Sequence, residues 1–251
     1  MGSTEHDAAL AVVRATSVPI HDLGTAVYLS PDVMGWAGEW GWSNPFAFYF
    51  AGRGSMLGDV SADVVCSAFG WFEPGAVRAM FDEGVAVAGA AGAAARMAEA
   101  HGQWGRKYLA DIPGIDQIAD VAEELVDGLE GSGLPLFVGW RTAPRADTAA
   151  GRAAQLVQIL REWRGGLHLV ATTAVGLSPL EAILTNEGEG QAKFFGWSDP
   201  FPACEAIAHK HAEAEEITDQ LSAVSLSRAL SPDRYEAFEA GVAAVRAAMP
   251  A

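Results

Sequence analysis

Apolar residues recur along this chain at spacings of three and four, and a sustained strict alternation of apolar and polar residues is missing. The pattern predicts helices over 7–16, 31–39, 44–57, 61–70, 75–83, 85–109, 115–130, 148–164, 167–175, 178–187, 203–224 and 232–248. Leu136-Phe-Val-Gly-Trp140 is the nearest strand candidate, short and isolated. The expected fold is therefore all-α. Several helix starts are signalled by side chains that bind free backbone N–H groups. Ser178-Pro-Leu-Glu181 reads as a capping box with proline at the first helical position, Ser231-Pro232 repeats that start, and Ser43 and Ser61 are further N-cap candidates.

Residues 131–147 contain glycine and proline with little periodicity, so they are expected to join a helical half over 1–130 to another over 148–251. A weak internal repeat supports that division. Phe69-Gly-Trp-Phe-Glu-Pro74 and Phe195-Gly-Trp-Ser-Asp-Pro200 share one pattern, and each follows a glycine turn and a Ser-led helix, at Leu57-Gly-Asp-Val-Ser61 and Val175-Gly-Leu-Ser178. A helix, a glycine turn and a capped helix form the pattern of a helix-turn-helix, and also of any tight helical hairpin. Reading DNA requires basic side chains on the second helix. Ser61-Ala-Asp-Val-Val-Cys-Ser-Ala and Ser178-Pro-Leu-Glu-Ala-Ile-Leu-Thr carry none.

Charge sharpens that exclusion. The 251 residues hold 16 Lys and Arg against 32 Asp and Glu, a formal net charge of -16. That balance opposes binding to nucleic acid backbones and to anionic membranes. Half of the residues are apolar, enough for a full core. Met1 to Asp7 is polar, lacks a leader pattern and reads as a tail, and Val85 to Ala95 is too short to span a bilayer. Cys66 and Cys204 lie far apart and read as thiols on apolar helix faces. A soluble cytoplasmic protein is expected, and a homodimer is compatible with the chain.

Arg53 is the most informative residue. At 100° per residue, Phe46, Tyr49, Phe50, Met56 and Leu57 fall within about 60° of it, so a guanidinium sits in the core-facing stripe. A buried guanidinium needs a partner. Asp59, Asp63 and Glu73 are candidates nearby in sequence, and a ligand carboxylate or phosphate is the alternative. In the run Leu160 to His168, with Leu156, Ile159, Leu160, Trp163, Leu167 and Val170 on the apolar face, Arg161, Arg164 and His168 share the opposite side. That side is either solvated or covered by the rest of the protein, where it would line a cleft for an anion. Gly165-Gly166 threatens to break the helix there. His168 or Glu162 would be the acid–base of an enzyme. Trp42, with Trp36 and Trp40, could wall an aromatic pocket together with Tyr49.

Glu205, His209, Glu213 and Glu216 share one face of the helix 203–224, with His211 near. A di-metal site built this way needs matching ligands on another helix, commonly in a Glu-x-x-His pattern, which is absent. Neither a metal nor a cofactor is expected. Gly52-Arg-Gly-Ser-Met-Leu-Gly58 fits no phosphate-loop pattern, and H-E-x-x-H, paired C-x-x-C and G-x-S-x-G are missing.

Three segments carry a family likeness: Ala51-Gly-Arg-Gly-Ser-Met-Leu-Gly-Asp59, Leu160-Arg-Glu-Trp-Arg-Gly-Gly-Leu-His168 and Ala174-Val-Gly-Leu-Ser-Pro-Leu-Glu-Ala182. Over roughly residues 25–245 the chain resembles an actinobacterial SalK-like family catalogued as helix-turn-helix. Trp163 and Gly166 stand where that family's second motif has His and Asp, while Arg161, Glu162, Arg164 and His168 match. The resemblance implies a tandem helical fold and brings no reaction with it. The reading these features favour is a binding protein, a regulator or accessory factor, holding a small organic anion or aromatic ligand between its halves with Arg53 as anchor. An enzyme of small-molecule metabolism is the alternative, and a DNA-binding regulator the one that charge opposes.

Overall fold

A computed structural model describes residues 3–250, and among them every regular element is helical. The helices are α1 (Ser3–Tyr28), α2 (Pro31–Glu39), α3 (Pro45–Gly54), α4 (Ala62–Phe69), α5 (Pro74–Tyr108), α6 (Ile115–Gly128), α7 (Pro135–Thr142), α8 (Ala149–Ala174), α9 (Pro179–Asn186), α10 (Glu189–Phe194), α11 (His209–Ala229) and α12 (Tyr235–Ala247). Helices α5 and α8 form the centre. Met97 and Trp104 of α5 and Leu156, Ile159 and Leu160 of α8 are essentially inaccessible to water. Around this pair, α3 lies on α5, α6 and α7 lie on α8, and α1 crosses α8 while packing on α11 and α12. One apolar core runs through helices on both sides of residues 131–147.

Four predicted boundaries are corrected, each for a packing reason. The expected 7–16 helix is α1, starting at Ser3 and passing through Pro19 to Tyr28, because Ile20, Leu23 and Val27 continue the buried period set by Val12, Val13 and Thr16. The tail reading of Met1–Asp7 therefore fails from Ser3 onward, and Met1 and Gly2 lie outside the described residues. The strand candidate is α7, whose Leu136, Phe137 and Trp140 are buried at helical spacing, so a helix interrupts the expected connection over 131–147. Gly165 and Gly166 do not break α8, which continues to Ala174. Gly166 is instead a close approach, since a Cβ there would lie 2.8 Å from Leu134. Val170, assigned to the apolar face, is exposed.

The expected break near residue 84 lies at Gly89, which has φ 70° and ψ 168° inside α5. Gly84 serves close packing. A Cβ there would run into the Ala47 carbonyl oxygen of α3, and the Trp42 indole donates to the Gly84 carbonyl at 2.9 Å. Gly84→Ala is expected to push α3 from α5 and cost about 1–3 kcal/mol. Urea denaturation checks this: the midpoint should fall with the slope unchanged.

The capping box at Ser178 and Glu181 is formed as predicted. Both cysteines are free, Cys204 buried and Cys66 partly so. The two Phe-Gly-Trp motifs touch: Glu73 N–H donates to the Phe195 carbonyl at 2.9 Å, the Trp197 indole to the Trp71 carbonyl at 2.8 Å, and the Phe72 and Phe195 rings lie 4.5 Å apart. Their structures then diverge, because Pro74 starts a long helix and Pro200 starts none. The repeat therefore remains a similarity of short motifs.

Candidate functional site

A cavity of about 780 Å3 opens between α1, α3, α4, α8 and α11, closed at one side by α9 and α10. Residues 161, 162, 164, 165, 168 and 169 present one face of α8 to it. This is the side that sequence left undecided between solvent and cleft, and α1 and α11 cover it. Aromatic rings supply much of the wall: Tyr28 and Tyr49 meet edge to face at 4.8 Å, Phe69 and Phe72 lie beside Tyr49, and Trp71 rests on His168 at 5.5 Å.

At the base of the cavity, Arg53 and Glu162 form a bidentate ion pair. The guanidinium donates from Nε to Oε1 at 2.7 Å and from Nη2 to Oε2 at 2.8 Å, with Nη1 donating to the Tyr49 hydroxyl at 3.1 Å. It also stacks over Phe69, 4.0 Å from the ring centre. Sequence reasoning placed Arg53 in the core correctly but looked for its partner too near. Asp63 instead binds Arg78, and Glu73 caps α5. Glu162 lies over a hundred positions away, where no local pattern could link the two.

This pairing corrects two assignments. Burial alone would raise the Glu162 carboxyl, but Arg53, with Arg161 adding to it, holds it below the ordinary carboxylate range. Glu162 also accepts from Gln158 at 2.6 Å, and Gln158 donates to the Tyr28 hydroxyl at 2.7 Å. A carboxylate so occupied has little proton affinity left for acid–base work. Arg53 likewise spends its fork on protein groups, so it braces the site and is not its free cation. Trp42 lies outside the cavity, because its indole is committed to the α3–α5 contact.

Arg161 carries an unmet donor. Its Nη1 lies 3.5 Å from Glu162 Oε1, which Arg53 and Gln158 already occupy, and its buried Nε has no acceptor among the described residues. Gly24 of α1 makes room for it, since a Cβ there would run into Arg161 Cδ. Arg164 binds Glu215 at 2.8 Å and Asp219 at 3.2 Å through Nη2, and its buried Nε likewise has no acceptor among the described residues.

His168 stands at the α11 side of the cavity. Its Nδ1 lies 2.9 Å from Thr218 Oγ1, and its Nε2 lies 3.5 Å from Glu215 Oε1. Burial holds its pKa below the ordinary imidazole value, with Arg164 and His211 acting the same way and Glu215 opposing. His168, His211 and Glu215 place one ligand atom each within 4.8 Å of one another. The sequence pattern pointed to Glu205, His209, Glu213 and Glu216, of which Glu205 lies before α11 begins and the others on a neighbouring face of it, and gave no sign that α8 supplies the facing histidine. His211 and Glu215 are four residues apart, which was the available signal. His21 and Tyr28, also in the wall, were missed because the predicted first helix stopped at residue 16, and Arg14, inside that helix, because nothing local in sequence shows that α1 covers α8.

A family model described as a helix-turn-helix family matches residues 13–251. The chain belongs to that helix-turn-helix family. Its match spans both glycine-turn hairpins and every residue that lines the cavity. Searches of curated proteins and of solved structures returned no match. Among the described residues of this family member, no single helix is long and apolar enough to cross a membrane.

Proposed function

We propose that this helix-turn-helix family member binds a small aromatic anion in the cavity and acts as a ligand-binding regulator or accessory protein. One observation carries the reading: a cavity of about 780 Å3 with aromatic walls, lined by Arg161 and Arg164, each of which has a buried Nε with no acceptor among the described residues. That volume lies within the usual range of small-molecule sites, which combine apolar walls with a few placed polar groups. Arg161 is the anchor, Tyr49 and Phe72 face the ligand's ring, and Arg164 and His168 border its polar end. The division into halves at 131–147, a cytoplasmic setting, a homodimer and membership of the SalK-like branch belong to the same proposal.

DNA binding fits less well. Neither α4 nor α9 carries a Lys or Arg, and every Lys and Arg except Arg141, Lys210 and Arg228 already faces a carboxylate. Cations paired in this way release few counterions from a phosphate backbone.

Thermal denaturation against aromatic carboxylates and aryl phosphates tests the reading. A ligand at a hundred times its Kd contributes about 2.7 kcal/mol. For a domain of this size that is a rise of roughly 5–10 °C in Tm. Arg161→Gln should fold and lose the rise. A wild type that no anion shifts, or an Arg161→Gln variant that keeps the whole shift, overturns it.

A further inference from the structure

We infer that His168, His211 and Glu215 form a binding site for one divalent first-row transition-metal ion at the α8–α11 side of the cavity. Two imidazoles and one carboxylate are a donor set that zinc and iron accept, with positions left open for water or a ligand. The three ligand atoms lie within 4.8 Å of one another, and coordination at about 2.0–2.1 Å calls for separations near 3.3 Å. Side-chain rotation on two rigid helices covers that difference.

The hydrogen bonds around the cluster give an independent argument. The Thr218 hydroxyl donates to the Ala214 carbonyl at 2.7 Å, so its oxygen accepts the proton on His168 Nδ1 at 2.9 Å. This fixes the tautomer and leaves a lone pair on Nε2. Glu215 Oε1 lies 3.5 Å from that nitrogen. Two acceptors thus face each other, an arrangement that a cation between them resolves. Arg164 holds the other carboxylate oxygen, Oε2, at 2.8 Å and turns Oε1 toward the rings. A metal-bound histidine typically donates its second N–H to an oxygen, and a carboxylate ligand is itself hydrogen-bonded. Thr218 and Arg164 occupy those outer places.

The inference shares His168 and Arg164 with the anion reading but not its anchor Arg161, and its test reads metal uptake alone. Chelator-treated full-length protein titrated with Co2+, followed by visible absorption, tests it. Wild type should take up one equivalent with the spectrum of a nitrogen–oxygen site of low coordination number. His211→Ala and Glu215→Gln should each weaken uptake at least tenfold. Thr218→Val, which keeps the shape and removes the acceptor, should weaken it roughly 10–100-fold while the protein stays folded by circular dichroism. His209→Ala, on the same helix outside the cluster, should bind like wild type. A wild type that takes up no Co2+, or uptake unchanged in His211→Ala, overturns the proposal.

Discussion

Arg53→Ala is expected to destabilise the protein by about 3–5 kcal/mol, because it strands the Glu162 carboxylate in the core. For a chain of this size that lowers Tm by roughly 10 °C. Both partners are more than nine-tenths buried, and the pair joins α3 to α8 directly. Arg161, 3.5 Å from Glu162, shares some of the orphaned charge and brings the loss toward the lower end of the range. The double variant Arg53→Met/Glu162→Gln should recover most of the loss, since the larger penalty comes from leaving one charge unpaired. Urea denaturation of wild type, both single variants and the double variant measures the coupling. A single variant within 1 kcal/mol of wild type would sink the assignment of the pair as the brace of the cavity floor.

His101 gives the second large effect, as a dependence on acidity. It is fully buried between Tyr28 and Trp140, its Nδ1 bonded to the Met97 carbonyl at 2.9 Å, and burial lowers its pKa to about 4. An unfolded histidine titrates near 6.5, so between pH 6.5 and 4 the unfolded chain binds the extra proton and the native protein does not. Stability is full above about pH 6.5 and drains as pH falls to 4. At about 1.4 kcal/mol per pH unit the loss from this residue approaches 3 kcal/mol. His101→Gln should flatten that slope. Denaturation midpoints at closely spaced pH values decide it: equal slopes in wild type and variant would show that His101 is not the group responsible.

The all-α class was legible because helical periodicity needs only neighbours in sequence. The capping box at Ser178 and the burial of Arg53 were legible for the same reason. What stayed hidden depended on contacts distant in sequence. Pro19 reads locally as a helix end, yet α1 continues because Leu23 and Val27 are buried beyond it. Gly165-Gly166 reads as a break, yet Gly166 is where α8 meets Leu134. The candidate site divides the same way. Arg161, Arg164 and His168 were grouped correctly by one helix face, while the Glu162 partner of Arg53 and the His211–Glu215 pair facing His168 required knowing which helices meet. Trp42 was assigned to the pocket on composition, and its hydrogen bond to Gly84 places it elsewhere.

The position of α1 also has a consequence for synthesis. It packs on α11 and α12, and about 180 residues separate its end at Tyr28 from the start of α11 at His209. At about 5–20 residues per second, α1 leaves the ribosome roughly 10–40 s before its partners exist. Until α8 emerges, most of its apolar stripe from Val12 to Val27 has little to cover it, and until α11 follows the cavity lacks a wall. The pocket is therefore a late product of translation, and the nascent chain meets the cell with its first helix still waiting for its last.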